Sequence, residues 1–193
     1  MSFIFKPGAR LLYMKVGTHA EEPLDKILAR KLKEIDEAGF AFWGYGGGTC
    51  HPVTMVQPFA RSYSEAGGKI YLCMQKMDSR NFAPSIRADE FSVDGIQWEP
   101  IPSAINVTGS RYALVIQNLH EEKFDLPLAD LRVALGNSMG AAGSKYISGR
   151  VDKACLEVTD AVRGMGDGKE PVSISLVAEI VKPYAVFVRN LVK

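Results

Sequence analysis

Between residues 23 and 38, apolar side chains recur at spacings of three and four. Leu24, Ile27, Leu28, Leu32 and Ile35 form one stripe, which predicts an amphipathic helix. Pro23 suits its first turn, where a missing N–H is harmless, and Gly39 follows as the expected left-handed cap. Thr18-His19-Ala20-Glu21 has the form of a capping box, but a helix begun there would need the N–H that Pro23 lacks. The same periodicity predicts helices over residues 125–135, through Leu128, Leu131 and Leu135, and over residues 151–163, through Val151, Cys155, Val158 and Val162.

Elsewhere the pattern is that of strands. Residues 10–16 (RLLYMKV) are apolar enough for a central strand, and residues 41–43, 53–57, 69–75, 96–98 and 111–119 follow as further candidates. Prolines 84, 100 and 102 punctuate an irregular stretch over residues 78–102, and a glycine-rich turn occupies residues 164–168. Residues 172–181 and 184–192 read as a closing hairpin around Lys182-Pro183. Strands and helices do not alternate strictly. The expected fold is therefore α+β, a single domain with a mixed, mainly antiparallel sheet and about three helices.

Composition narrows the function. Basic residues number 23 and acidic ones 22, so the formal net charge of +1 argues against strong non-specific binding to nucleic acid. No apolar run approaches the roughly 18 residues that a membrane helix needs, and the N-terminal residues lack the pattern of a signal peptide. Cys50, Cys73 and Cys155 are odd in number and widely spaced, which suggests neither a disulfide framework nor a thiolate metal site. The expectation is a soluble cytoplasmic protein with no metal and no resident cofactor.

Two short motifs invite chemistry. Gly136-Asn137-Ser138-Met139-Gly140 has the GxSxG form of a hydrolase nucleophile elbow. That elbow needs a strand before it and a histidine after the acid, whereas the preceding residues read as helical and His19, His51 and His120 all come earlier. A loop between two helices is the better reading. The same loop runs on to Ser144, Lys145 and Arg150, whose amides and cations could hold an anion ahead of the expected helix at Val151.

Residues 40–52 (FAFWGYGGGTCHP) are the most unusual stretch. Trp43 and Tyr45 alternate with glycine, which in extended chain places both rings on one side, beside the bare backbone of Gly46 and Gly47. Rings beside glycine suit the stacking of a flat group, and the competing reading is core packing at a bend. Cys50-His51 suggests a thiolate–imidazole pair, although adjacent side chains in extended chain point apart. The leading expectation is a non-catalytic binding domain for a nucleotide or nucleic-acid base. Its candidate ligand residues are Trp43, Tyr45, Gly46, Gly47, His51, Arg61, Lys145 and Arg150. An inhibitor or adaptor using the same aromatic loop at a protein interface is the alternative.

Three fragments resemble the arginine–serine–glutamate class of ADP-ribosyltransferases: Arg10 at the head of the first strand, Ser62-Tyr63-Ser64, and Glu179 near the end. The resemblance implies an NAD-consuming enzyme in which Arg10 contacts the NAD phosphates, Ser62 orders the site and Glu179 stabilises the transition state, all in one cleft. The chain departs from that family at Val177, where a glutamate or glutamine is usual.

Overall fold

The structure, a computed structural model, describes residues 5–46, 50–80, 85–147, 151–159 and 171–191. The expected glycine turn at 164–168 lies outside these. The predicted class holds: helices cover a large mixed sheet. In chain order the elements are β1 (Arg10–Thr18), α1 (Leu24–Ala38), β2 (Ala41–Gly44), α2 (Val53–Glu65), β3 (Ile70–Arg80), β4 (Glu90–Ser92) and β5 (Glu99–Pro100). There follow β6 (Tyr112–Leu126), a 3₁₀ turn (Leu128–Asp130), β7 (Leu131–Val133), α3 (Gly143–Tyr146), β8 (Lys153–Val158) and β9 (Val172–Arg189). The sheet order is β2-β6-β9-β3-β1-β8-β7, with β4 and β5 appended beside β9. The β1–β3 pair is parallel, and the other pairings are antiparallel.

Alternation along the strands separates two faces. One face carries Leu12, Trp43, Leu72, Leu114, Cys155 and Ala178, and α1 and α2 pack on it to make the largest core. On the other, Leu11, Tyr13, Cys73, Leu156 and Val177 form a second core under the β7 region. A third core, around Phe42, Val115 and Val186, lies beneath the 101–107 segment.

The first face is concave. Tyr45, just past β2, directs its hydroxyl at the carbonyls of Tyr13 and Ala154 at 3.3 and 3.4 Å, and Trp43 Nε1 donates to Met14 Sδ at 3.3 Å. In the sheet order β2 lies four places from β1, about 19 Å in a flat sheet. No tyrosine spans that, so the sheet must curl until its first strand meets its fifth.

Five expected elements differ. Residues 53–57 are helix rather than strand: Val53, Val56, Phe59 and Ala60 fall on one buried face at helical spacing, with Pro58 accommodated inside. Residues 125–135 are not a helix. Leu126 ends β6, and the threefold spacing belongs to a 3₁₀ turn leading into β7. Residues 153–158 are a strand buried on both faces, with Ala154, Cys155 and Leu156 each at most 1% exposed, a continuous apolar run that periodicity alone cannot distinguish from helix. Residues 96–98 are not a strand but part of the bend that leads into β5. The closing hairpin is instead one strand, β9, which stays paired with β6 at both Ile180 and Ala185. A register shift between those pairs takes up the chain around Pro183, where a residue without an N–H is tolerated.

Candidate functional site

Curling of the sheet leaves a pocket of about 360 Å³ at one end of the concave face. Its walls are the end of β1 and the residue after it (Met14 to His19), the inner side of α1 (Leu24, Ile27, Arg30, Lys31), the segment from Asn106 to Ser110, and Asp152 with Lys153 at the start of β8. Trp43, Gly44, Tyr45 and Gly46 form the floor.

The α1 wall is built from buried charge. The apolar stripe expected at Leu32 is not the buried one: Leu32 is 49% exposed, whereas Lys31 and Glu34 are 3% and 1% exposed. Lys31 Nζ donates to both Glu34 oxygens at 3.1 and 2.9 Å and to the Asn106 carbonyl at 2.5 Å. Arg30 reaches the same carboxylate and the same carbonyl at 3.0 Å each, and it grips Glu22 with two nitrogens at 3.2 and 2.6 Å. The Asn106 N–H closes the arrangement on Glu34 at 3.2 Å. Two cations and two carboxylates thus latch the 106–110 wall onto α1. Burial pulls the Lys31 ammonium down to about 8, against the opposing pull of Glu34. The hydrogen bond from Arg30 holds the Glu22 carboxyl below its usual range.

The floor explains two of the glycines. A Cβ on Gly44 would lie 2.3 Å from Ser110 Oγ, and one on Gly46 would lie 2.4 Å from the Tyr112 ring and 2.7 Å from its backbone nitrogen. What approaches this bare backbone closely is the protein's own 110–112 segment. Trp43 and Tyr45 do lie on one side, as alternation predicts, but that side is the core: they are 5% and 1% exposed. Burial pushes the Tyr45 phenol well above its ordinary value. Neither ring has the exposed face that stacking on a loop requires.

The remaining expected site residues do not gather at the pocket. Gly47 and Arg150 lie outside the described residues. His51 sits against Gly136, where a Cβ would come within 2.6 Å of its Nε2. The Cys50 thiol turns instead toward the Tyr112 hydroxyl, which donates to the His51 carbonyl at 2.6 Å. The thiol thus meets the Tyr112 hydroxyl, and the imidazole lies against Gly136. Arg61 is exposed on α2 and Lys145 lies on α3, neither lining the pocket.

The anticipated anion cradle at 136–150 also differs. No helix starts at Val151, and the N–H groups of Met139, Gly140, Ala141, Lys145, Tyr146 and Ile147 already bond carbonyls of the loop and of Val133. A strand, β7, rather than a helix does precede the GxSxG residues. The loop then folds back on that strand through Gly140 and Ala141, with no helix following at Ser138.

The ADP-ribosyltransferase triad comes together only in part. Arg10 Nη1 donates to Ser62 Oγ at 2.7 Å, but Ser62 is on helix α2, and Arg10 also pairs with Glu157 at 3.1 Å. Glu179 is in register with Tyr71 and Leu11, whose face is the second core, whereas Arg10 faces α2. It bonds Asn118 and Lys69 there. Arginine and glutamate lie on opposite faces, and the single cleft is not formed.

Comparison with family models, curated proteins and solved structures finds no match for this chain. Among the described residues no group of three or more metal-ligating side chains occurs, and no helix is long and apolar enough to cross a membrane.

Sequence reasoning passed over Lys31, Asn106 and Lys153. For Lys31 a signal existed: it falls four residues after Ile27, on the buried side, with a carboxylate three residues on. A lysine inside an amphipathic stripe, matched to a glutamate at that spacing, marks a buried pair.

Proposed function

We propose that the protein is a binding domain for a flat, partly anionic small molecule, held in the pocket between β1, α1 and the 106–110 segment. The observation that carries this reading is the pocket itself. Apolar Met14, Val16, Ile27 and Trp43 line it together with Lys15, Arg30, Lys31 and Lys153, and Asp152 is the one acid among the described lining residues. An apolar body with a few placed polar groups is the usual make-up of a ligand site. Its volume of about 360 Å³ is at the small end of such sites, which suits a mononucleotide or something smaller and is tight for NAD.

A thermal-shift panel of the four ribonucleoside 5′-monophosphates tests the reading, run on the wild type and on Thr108→Trp, whose indole would fill the pocket from one wall. A ligand at about 100 times its Kd stabilises by ~2.7 kcal/mol, or roughly 5–10 °C for a chain of this size. The expected result is such a shift in the wild type and its loss in Thr108→Trp, with circular dichroism reporting that the variant is folded. No shift with any nucleotide, or the same shift in both proteins, overturns the reading.

A further inference from the structure

The cations around the pocket are not equivalent. Arg30 is engaged by Glu22 and Glu34, and Lys31 by Glu34 and the Asn106 carbonyl. Lys153 differs: among the described residues it has neither an ion pair nor a hydrogen-bond partner through its side chain.

Its direction follows from register. Lys153 stands opposite Met14 in the β1–β8 pair, and Cys155, two residues on, is in the concave core. Alternation therefore aims Lys153 at the concave side, next to the Met14 sulfur that accepts the Trp43 N–H. The neighbouring Asp152 carboxylate acts on the phenol of Tyr13, which belongs to the opposite face, and Lys15 has the same parity as Tyr13. Asp152 is therefore not placed to neutralise Lys153 across the pocket. An uncompensated lysine beside an apolar wall is a point charge awaiting an anion, and phosphate is the group that lysine meets in that way.

We infer that Lys153 is the anchor for the phosphate of a phosphate-monoester ligand whose planar body rests on Met14, Val16 and the Trp43 edge. This rests on the pocket reading above and sharpens it, since it assigns the anionic end of the ligand to one residue. The base or ring end then lies toward α1, where the charges are already paired.

The test compares each ribonucleoside 5′-monophosphate with its own nucleoside by calorimetric titration against wild type, Lys153→Gln and Lys153→Arg. For the monophosphate that binds best, Lys153→Gln should weaken affinity at least about tenfold and Lys153→Arg less than about threefold, while nucleoside affinity stays within about twofold throughout. Raising the salt concentration should weaken monophosphate binding to the wild type more than to Lys153→Gln. Unchanged melting temperatures of the unliganded variants exclude a folding defect. If nucleoside and monophosphate bind the wild type equally, or Lys153→Gln binds the monophosphate as the wild type does, the phosphate anchor is overturned and the pocket reading stands. If nothing in the panel binds the wild type, both fall.

Discussion

Helices α1 and α2 cover the same concave face, and each is entered through a proline, Pro23 or Pro52, yet their buried sides differ in kind. On α2 the inner side is Val53, Val56, Phe59 and Ala60, an apolar surface seated on β9 and β3. On α1 it is Ile27, then Lys31 and Glu34. Where apolar meets apolar, the helix closes the core. Where α1 carries its charged layer, the helix binds a neighbouring segment through Asn106, and a pocket remains beside them. The polar side of this protein's interior and its cavity are one feature.

The largest test of that difference removes one partner of the buried pair. Glu34→Ala leaves Lys31 buried without its carboxylate and should cost about 3–5 kcal/mol in urea denaturation at neutral pH. The double variant Lys31→Met/Glu34→Leu removes both charges and should recover most of that loss, because an apolar pair of similar volume replaces the desolvated one. A Glu34→Ala loss below about 1 kcal/mol would mean that the charged layer is solvated and no different from the surface of α2.

A second test uses pH. In the folded protein Lys31 titrates at about 8, below the 10.5 of an ordinary lysine, and burial is the cause. Between those values the unfolded chain binds more protons than the folded one, so the contribution of Lys31 to stability rises with pH. Below about 8 both states are protonated, and the full cost of the buried charge is present. Arg30, Glu22 and Glu34 are the charged groups that face the same amine. Relative to Lys31→Met, the wild type should therefore gain on the order of 2 kcal/mol between about pH 7 and pH 10. A gap that stays constant would show the amine to be in contact with water.

The two helices also differ in how legible they were. α1 was readable because its stripe, Pro23 and Gly39 agree, but which of two adjacent stripes is buried was not: Leu32 looks like core by type, and the ion pair with Glu34 and the Asn106 carbonyl make Lys31 acceptable there. Residues 53–57 read as strand because valines at 53 and 56 favour it, while the helical spacing of Val53, Val56 and Phe59 was present throughout. Strand β8 was hidden for a related reason, since Ala154, Cys155 and Leu156 are buried on both faces and carry no period of two. The site was least legible. Alternation placed Trp43 and Tyr45 on one side correctly, yet whether that side faces water or core depends on the curl of a sheet whose first and fifth strands, four places apart in the sheet order, meet only in three dimensions. Lys153 could not be aimed at the pocket before its register with Met14 was known.

The smallest expected effect concerns a neutral side chain that ties α2 to the sheet. Gln57 Nε2 donates to the Ala185 carbonyl at 2.9 Å and to the Val93 carbonyl at 3.1 Å. Neither bond involves a charge, and the helix face beside it is apolar. Gln57→Ala should therefore cost about 1 kcal/mol, the usual net worth of a neutral hydrogen bond, plus a few tenths for the second acceptor, which is the more exposed of the two. The melting temperature should fall by roughly 2–4 °C. A loss approaching that of Glu34→Ala would mean that α2, like α1, is held by polar contacts, and the distinction between the two helices would collapse. A loss near 1 kcal/mol leaves apolar burial as the cause of α2's seating, and buried charge as the peculiarity of the helix that borders the pocket.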